Sequence, residues 1–249
     1  MSLSSLRRLN PYVSVLRAES NGLVALVKPT NMLCVPAQAK ASGKKTRVIV
    51  DAPYDDEQEC FDLGGSEKLY LLHRLDAATS GLLLMSTSKE TARQVNRLFK
   101  QRLVQKEYKA LVFCPPRWQG LLEEVVWSDD LPWRDKTVAA ETVLVAGNRV
   151  VVTDPPTALL TLRPKTGFTH QLRIQCAKRL FPIVGDSRHG NFQLNRSFLS
   201  SRPQDGKEPG PSRRMFLHAE SLSFRLGEQQ LSFHAPLPPE FLQRGHDLK

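Results

Sequence analysis

A short polar segment between two apolar runs constrains the fold more than any other feature of this chain. Residues 69–72 and 81–85 are each apolar and of strand length, as expected for buried strands. The eight residues between them, 73–80, read His-Arg-Leu-Asp-Ala-Ala-Thr-Ser. Because the core holds both ends of this loop, its side chains have defined positions. The pattern therefore predicts a candidate site at residues 73–80.

The other apolar runs and turn signals predict an α+β fold in which strands outnumber helices. Gly147-Asn148 favours a hairpin between residues 141–146 and 149–153, and residues 117–137 have a loop-like composition. Since several strands are joined by hairpins, we expect a mixed, mainly antiparallel sheet. The remaining predicted strands cover residues 23–27, 108–113, 158–163, 216–225 and 230–234.

Helical periodicity predicts a helix that Ser88 caps and that ends near Arg102, with one apolar and one cationic face. A second helix is predicted within residues 169–180, and a short one after Pro238-Pro239. These helices would flank the sheet. The cationic face of the first helix contains Lys89, Arg93, Arg97 and Lys100.

Two stretches fit neither pattern. Residues 37–68 are basic and then acidic, which predicts a loop-rich insertion with one short strand at residues 47–50. Residues 197–214 are rich in Ser, Pro, Gly and Arg and predict a flexible loop. Gly64-Gly65-Ser66 lacks the lysine of a P-loop, so it predicts a turn.

The positive charge of the chain is concentrated in two windows. The net charge is +10, from 35 Lys and Arg against 25 Asp and Glu. Residues 89–109 contribute +5 and residues 163–196 contribute +6, so the rest of the chain is close to neutral. Two concentrated basic segments favour a polyanionic partner, although a solubilising surface gives the same pattern.

Several classes of protein are disfavoured. No run of 18 apolar residues predicts a membrane span, and no apolar segment follows Arg7 and Arg8 as in a secretory signal. Four widely separated cysteines without a C-x-x-C pair are typical of reduced thiols in the cytoplasm. The six histidines lack metal-ligand spacing, so we expect no metal and no cofactor. Ser80 lacks a G-x-S-x-G context, which disfavours a serine hydrolase.

The residues alone leave two readings open for each polar segment. Asp76 can serve as a turn-forming carboxylate or as a catalytic one. Residues 165–173 can form a simple helix entry or line a phosphate-binding cleft. Arg74 can be a buried salt-bridge partner or a side chain that contacts a ligand.

Five segments, in order, resemble the motifs of RluA-type pseudouridine synthases, and residues 214–236 are similar to the closing strands of that family. The resemblance extends over residues 23–190 and implies the pseudouridine synthase fold, a single catalytic domain over residues 1–249 without an S4 domain, and a central RNA-binding cleft. The five segments are Lys28-Pro29, His73–Gly81 (H-R-L-D-x-x-T-S-G), Lys106-Glu107-Tyr108 with Ala110 and Val112, Thr166–Arg173, and Pro182–Asp186.

The resemblance implies an isomerase that detaches uracil from ribose and rejoins it through carbon 5. By position, Asp76 corresponds to the essential aspartate, Tyr108 to the active-site tyrosine and Arg173 to the arginine that pairs with the aspartate. The aspartate acts either as a nucleophile or by abstracting a sugar proton, and the sequence does not choose between them. The tyrosine would stack on uracil and remove the proton from carbon 5.

A uridine stacked in a helix must be flipped out before it reaches such a site. The resemblance implies that Arg74 fills the vacated stack, with basic side chains binding the RNA backbone. The RNA-binding residues expected with Arg74 are His73, Thr79, Lys106, His170, Gln171, Arg93, Arg97, Lys100 and Arg188.

Residues 185–196 are similar to the tRNA pseudouridine synthase C branch of the family, which implies a uridine in the T-stem region of tRNA as the target. Ribosomal RNA is the second expected substrate, either 23S rRNA alone or with tRNA. Three positions depart from the family pattern: Asn31 replaces a glycine but tolerates positive φ, Ala77 replaces a basic residue, and Phe168 replaces the arginine of T-G-R-T-H-Q.

We therefore expect a cytoplasmic, monomeric RNA pseudouridine synthase that binds neither a membrane nor a small-molecule cofactor. The alternative from another class is a non-catalytic RNA-binding protein on the same scaffold. The joint presence of Asp76, Tyr108 and Arg173 disfavours it.

Overall fold

A computed structural model describes residues 7–37, 47–120, 123–150, 155–200 and 214–241. The described chain contains twelve strands, three α-helices and one 3₁₀ turn at Pro239–Phe241. In chain order these are β1 (Ser14–Ala18), β2 (Leu23–Lys28), β3 (Tyr54–Asp55), β4 (Cys60–Gly64), β5 (Glu67–Leu71), β6 (Ser80–Ser86), α1 (Lys89–Lys100), β7 (Gln105–Phe113), β8 (Val125–Trp133), β9 (Lys136–Val150), β10 (Thr157–Pro164), α2 (Gln171–Lys178), α3 (Phe192–Ser200), β11 (Leu217–Leu226) and β12 (Gln229–His234).

The chain forms two compact units. The first unit comprises residues 1–105 and 221–235, and the second comprises residues 106–220 and 236–249. Strand β11 therefore begins in the second unit and ends in the first.

The first unit is built on β2 and β6, which pair antiparallel from Leu23 opposite Ser86 to Lys28 opposite Gly81. β2 also pairs with β1, and β3, β4 and β5 continue the antiparallel sheet beyond β6. All seven residues of β6 are buried, as its apolar run predicts. This register places the end of β2 beside the loop that precedes β6.

Helix α1 packs against this sheet as predicted. The Ser88 side chain accepts a hydrogen bond from the backbone N–H of Thr91, which confirms the N-cap. Ala92 and Val95 are buried in the core of the unit, so the apolar stripe faces the sheet. The cationic residues lie on the solvent side.

The second unit is an antiparallel arrangement in which β10 pairs with β7 on one side and β9 on the other, and β8 pairs with β9. A separate apolar core forms around Phe113, Val184 and Phe216. Helix α2 follows β10 and contacts β8. The strand registers described above are antiparallel, and an isolated bridge between Leu33 and Val48 is parallel, in agreement with the predicted mixed, mainly antiparallel sheet.

Two predictions in this unit are wrong. Residues 117–137 include β8 and the start of β9, and Gly147-Asn148 lies within the unbroken strand β9 instead of forming a hairpin turn. The glycine serves packing: a Cβ at Gly147 would lie 2.9 Å from carbon atoms of both Leu160 and Trp118. Close approach of neighbouring side chains, and not a turn, explains this glycine.

The insertion also contains more strand than predicted. Val48 and Val50 make only isolated bridges, whereas β3 and β4 pair within residues 54–61. Residues 38–46 lie outside the described chain. The flexible loop predicted at residues 197–214 begins within α3, and residues 201–213 lie outside the described residues. None of the helices in the described ranges combines the length and apolarity needed to cross a membrane.

Candidate active site

The loop that carries Asp76 runs from the end of β5 to the start of β6, and Asp76 itself is half-buried. The carbonyl of Asp76 accepts a hydrogen bond of 3.0 Å from the backbone N–H of Thr79, which closes a turn. Cys34 holds Leu75, the residue before Asp76. The Cys34 thiol donates to the Leu75 carbonyl and accepts from the Leu75 N–H, both at 3.4 Å. The carboxylate thus projects from a backbone fixed on both sides.

The end of β2 holds the other side of this loop. The fully buried ammonium group of Lys28 donates to the carbonyl oxygens of Pro29 and Met32, each at 2.9 Å, and of Ala77 at 3.1 Å. The Met32 N–H also donates to the Ala77 carbonyl at 3.2 Å. A buried charge needs such hydrogen bonds to be tolerated. Lys28 therefore joins two backbone segments beside Asp76.

The turn after Lys28 confirms one sequence expectation. Asn31 has a φ of 57°, which is the left-handed conformation that asparagine tolerates in place of glycine. The neighbouring Thr30 hydroxyl donates to the Ala78 carbonyl at 2.8 Å. Thus three donors from residues 28–32 bind the backbone directly after Asp76.

His73, Arg74 and Thr79 have different environments. The Nε2 atom of His73 accepts a hydrogen bond of 3.0 Å from the backbone N–H of Leu84, and its ring stacks on Phe99 with centroids 5.0 Å apart. Thr79 is buried. Arg74 is exposed, so it is not the buried salt-bridge partner that was the alternative reading of this residue.

The cationic face of α1 is exposed as the helical pattern predicts. Arg93, Arg97 and Lys100 are all exposed to solvent, while Phe99 on the same helix contacts His73. Arg97 and Lys100 lie in the last turn, where positive charge also stabilises the helix dipole. The stripe therefore combines a local structural role with a surface suited to a polyanion.

In the second unit, Arg173 lies on α2 and forms a buried, two-pronged ion pair with Asp186. Its Nε and Nη2 atoms donate to the two carboxylate oxygens, each at 2.8 Å. Burial is the largest influence on the pKa of Asp186 and raises it. The hydrogen bonds from Arg173 and from the backbone N–H groups of His189 and Arg188 outweigh burial and hold that pKa below its usual value.

Tight backbone contacts build the loop around Asp186. Gly185 has a φ of 77°, and a Cβ there would overlap the carbonyl oxygen of Arg214. A Cβ at Gly190 would overlap the carbonyl oxygen of Asp186. The Asn195 side chain accepts from the Gly185 N–H at 2.7 Å and donates to the Asp186 carbonyl at 3.0 Å. Arg188, in this loop, is exposed.

The entry to α2 is held by a buried amide. Gln171 accepts hydrogen bonds from the Thr166 hydroxyl at 2.7 Å and the Phe168 N–H at 3.2 Å, and donates to the Glu141 carbonyl at 3.0 Å. The preceding His170 adopts a φ of 57° and does not cap the helix with its side chain. Gln171 thus forms part of the scaffold that positions Arg173.

Two further predicted site residues lie on β7. Tyr108 is half-buried and lies opposite Leu162 of β10. The ammonium group of Lys106 donates to the Thr166 carbonyl at 2.9 Å, at the Thr-Gly turn before α2. At the start of α2, Nδ1 of His170 and Nε2 of His189 lie 2.9 Å apart and form a hydrogen bond.

The sequence was compared with known families. Residues 22–178, which include Asp76, Tyr108 and Arg173, match the RNA pseudouridylate synthase family. The chain belongs to this family. The RluA-type resemblance read from the five motifs is thereby confirmed.

Three relatives show how far the pseudouridine synthase likeness extends. A tRNA pseudouridine synthase C of Salmonella typhi is 33% identical over 175 residues, which cover 63% of this chain and 62% of that protein. An uncharacterized RNA pseudouridine synthase of Zymomonas mobilis is 32% identical over 70% of this chain and 76% of its own length. The dual-specificity RNA pseudouridine synthase RluA of Salmonella typhi is 27% identical over 93% of this chain and 95% of that protein. The chain thus spans about three fifths of the synthase C that it matches.

Solved structures confirm the α+β pseudouridine synthase fold. Human RNA pseudouridylate synthase domain containing 4 aligns with a TM-score of 0.61 and 24% identity, over 93% of this chain and 92% of its own. Human RNA pseudouridylate synthase domain containing 1 also gives 0.61, at 21% identity, over 91% of this chain and 84% of that chain.

Two residues of this synthase-family chain gained importance only from the structure. Asp186 was recognised as a motif residue, but its pairing with Arg173 is not visible in the sequence. Lys28 also belonged to a motif, and a lysine next to a proline gives no sign that its ammonium group is fully buried. An apolar run that ends directly in a lysine is the signal that the sequence offered.

Proposed function

We propose that this chain is an RNA pseudouridine synthase that isomerises a uridine in tRNA, with Asp76 as the catalytic carboxylate. The observation that carries the proposal is the Asp76 loop: its backbone is bound by Cys34, Lys28 and Thr30, yet the carboxylate is only half-buried. A reactive group fixed by its surroundings but reachable by substrate is the arrangement that catalysis requires.

The reaction breaks the bond between N1 of uracil and C1′ of ribose and forms a bond between C5 and C1′. Asp76 assists the cleavage, either by attacking the sugar or by removing one of its protons. After the uracil has turned, C5 bonds to C1′ as the Asp76 carboxylate leaves that carbon or, in the second route, returns the sugar proton. C5 then loses its proton, and N1 gains one. We assign the removal of the C5 proton to Tyr108, on the family resemblance. The atoms balance without an oxidant, a reductant or a nucleotide.

On the family resemblance, we propose that Arg173 orients the Asp76 carboxylate. An arginine side chain has five N–H donors, and Asp186 accepts from two of them. Because the bidentate pair fixes the plane of the guanidinium, its other edge has a defined direction. Asp186 would then be a positioning residue that acts through Arg173.

We propose that Arg74 occupies the stack that the flipped uridine leaves. It lies two residues before Asp76 and is exposed, so its side chain can enter a helix without losing a buried partner. The exposed cations Arg93, Arg97 and Lys100 of α1 would bind phosphates in the same unit.

The likeness to tRNA pseudouridine synthase C supports a tRNA substrate, with the T-stem region as the proposed position. Ribosomal RNA is the second candidate, because the dual-specificity RluA matches over 95% of its length. We further propose that the protein acts as a cytoplasmic monomer without a cofactor. Size-exclusion chromatography, and activity after exhaustive dialysis against a chelator, test the last two points.

The proposal is tested by incubating the purified chain with unmodified tRNA and rRNA transcripts and mapping pseudouridine by carbodiimide treatment and primer extension. We expect a stop in the T-stem region of tRNA. Asp76→Asn, which keeps the shape of the side chain, should lower conversion at least about 100-fold. Asp51→Asn, at an exposed carboxylate of the same unit, is the matched control.

Conversion by Asp76→Asn at the wild-type rate would overturn the assigned mechanism. Tight RNA binding by the wild type without any conversion would favour the non-catalytic RNA-binding alternative. Conversion in rRNA but not tRNA would keep the enzyme and replace the substrate.

A further inference from the structure

An aromatic and cationic cluster that includes none of Asp76, Tyr108 and Arg173 lies at the tip of the β8–β9 hairpin. Trp133 is opposite Lys136 in the register, so Arg134 and Asp135 form a two-residue turn in which Arg134 has a φ of 53°. We call the residues that meet here the hairpin patch: Trp133, Arg134, Lys136 and Phe168.

The contacts within the hairpin patch are specific. The guanidinium of Arg134 lies 4.7 Å from the centre of the Trp133 ring, and the ammonium group of Lys136 lies 5.4 Å from it. The Phe168 ring centre is 6.0 Å from that of Trp133, and the two ring planes are inclined by 59°. Trp133 and Phe168 are both half-buried, whereas Arg134 and Lys136 are exposed.

We propose that the hairpin patch binds an unpaired segment of the RNA substrate, with a nucleobase stacked on the aromatic rings and phosphates on Arg134 and Lys136. This inference rests on the proposed function, because it names the surface that holds that substrate. Stacking on an aromatic ring beside a cationic groove is how proteins bind single-stranded nucleic acid without reading its sequence. The cations exceed the single carboxylate of Asp135, so the patch attracts phosphate.

The hairpin patch also explains the Phe168 departure. Phe168 stands where the family motif has arginine, which removes one cation from the Thr-Gly turn. The Phe168 N–H donates to Gln171, and the ammonium group of Lys106 donates to the Thr166 carbonyl, so two side chains bind the backbone of this turn. The Phe168 ring instead contacts Trp133, and the guanidinium of Arg134 lies 4.7 Å from the Trp133 ring centre, so the patch contains a cation as well as the two rings.

The competing explanation is that these contacts only stabilise the hairpin. Exposed cation–π pairs do contribute to stability, by amounts too small to unfold the protein when lost. Stability and RNA affinity must therefore be measured separately, on the whole chain.

The test uses fluorescence anisotropy with a labelled oligouridylate twelve-mer and with a tRNA transcript, together with thermal unfolding. Trp133→Ala should raise the Kd for both RNAs about tenfold. Arg134→Ala with Lys136→Ala should raise the Kd and reduce the slope of log K against log salt by about 1.4, which corresponds to two phosphate contacts on a single strand. Arg117→Ala with Arg225→Ala removes two exposed cations elsewhere and serves as the charge-matched control.

Tryptophan fluorescence gives a readout that a purely structural role would not change. Oligouridylate should quench the wild-type signal, and Trp133→Phe should abolish the quenching while keeping most of the affinity. A fully base-paired RNA duplex should not quench.

An unchanged Kd in Trp133→Ala would overturn the hairpin-patch proposal. So would a loss of RNA affinity in the Arg117 and Arg225 control that equals the loss in the Arg134 and Lys136 variant. If the wild type converts uridine, and every patch variant binds RNA and converts uridine as the wild type does, the hairpin-patch inference is wrong and the proposed function stands. A wild type that binds the RNA through the patch without converting it sinks the proposed function alone. A wild type that does not bind RNA removes both.

Discussion

The ammonium group of Lys28 lies 3.1 Å from the carbonyl oxygen of Ala77, the residue that follows Asp76. Lys28 is fully buried and also donates to Pro29 and Met32, so one side chain satisfies three carbonyl groups. Because those carbonyls belong to two segments of the chain, the position of Asp76 depends on this lysine.

Replacing Lys28 with methionine should therefore lower both stability and activity. Methionine fills a similar volume but removes the ammonium donor from the carbonyls of Pro29 and Met32, and the Ala77 carbonyl keeps the Met32 N–H as its donor. We expect this loss to cost about 2–4 kcal/mol in the free energy of unfolding. Urea denaturation measures this loss. Lys89→Met, at an exposed lysine, should change the free energy by less than about 0.5 kcal/mol. Equal stability of the two variants would contradict the role given to Lys28.

The Arg173–Asp186 pair should make stability depend on acid. The pKa of Asp186 is lowered in the folded protein, so its carboxylate contributes stability that is complete above the unfolded-state pKa of about 4 and is lost as the pH falls through the lower folded value. Asp186→Asn should cost about 3 kcal/mol at pH 7 and less at pH 3.

Urea denaturation at several pH values between 3 and 7 follows this effect. The difference in the free energy of unfolding between wild type and Asp186→Asn should shrink as the pH falls. Asp51→Asn, at an exposed carboxylate, should show no such trend. A gap that stays constant over the whole range would argue against the ion pair as its source.

A comparison of alanine variants at Gly185 and Gly65 distinguishes the cost of backbone strain from the cost of steric overlap. Both have positive φ, 77° and 62°, but a Cβ at Gly185 would overlap Arg214 while a Cβ at Gly65 would have no atom within 4 Å. Gly65→Ala should therefore cost only about 1 kcal/mol. Gly185→Ala should cost several times more, and its melting temperature should fall accordingly. Similar melting temperatures for the two variants would show that the Asp186 loop can shift to make room.

The thiols should be unreactive in the native state. All four cysteines are buried thiols outside any disulfide bond, and burial raises the pKa of both Cys34 and Cys176, which disfavours the reactive thiolate. Ellman's reagent at pH 8 should label none of them quickly, and all four after denaturation in guanidinium. Ser187→Cys, at an exposed position, provides a thiol that must react in the native protein. Rapid labelling of the native wild-type protein, which lacks the added thiol, would mean that at least one of its four cysteines is accessible.

The sequence predicted those features that depend on local pattern. The strand of residues 81–85, the Ser88 cap and the left-handed Asn31 all follow from burial, capping or backbone preference of single residues. The fold itself was recognised from motifs.

The features that the sequence did not reveal depend on neighbours distant in the chain. Gly147 has the sequence context of a turn, but Trp118 and Leu160 require a glycine within a strand. Asp186 pairs with Arg173 across 13 positions, and Lys28 reaches Ala77 across 49. Gln171 also depends on distant residues. Its side-chain amide donates to the Glu141 carbonyl and the Thr142 hydroxyl, and these contacts form only when β9 lies beside α2.

The stacking of His73 on Phe99 has a mechanical consequence. Phe99 lies in the last turn of α1, whose outer side carries Arg97 and Lys100, and His73 lies three residues before Asp76. The ring contact thus connects the helix that carries the cationic residues directly to the loop that carries Asp76. If α1 binds phosphates as proposed, any displacement of this helix is transmitted to that loop through one pair of rings.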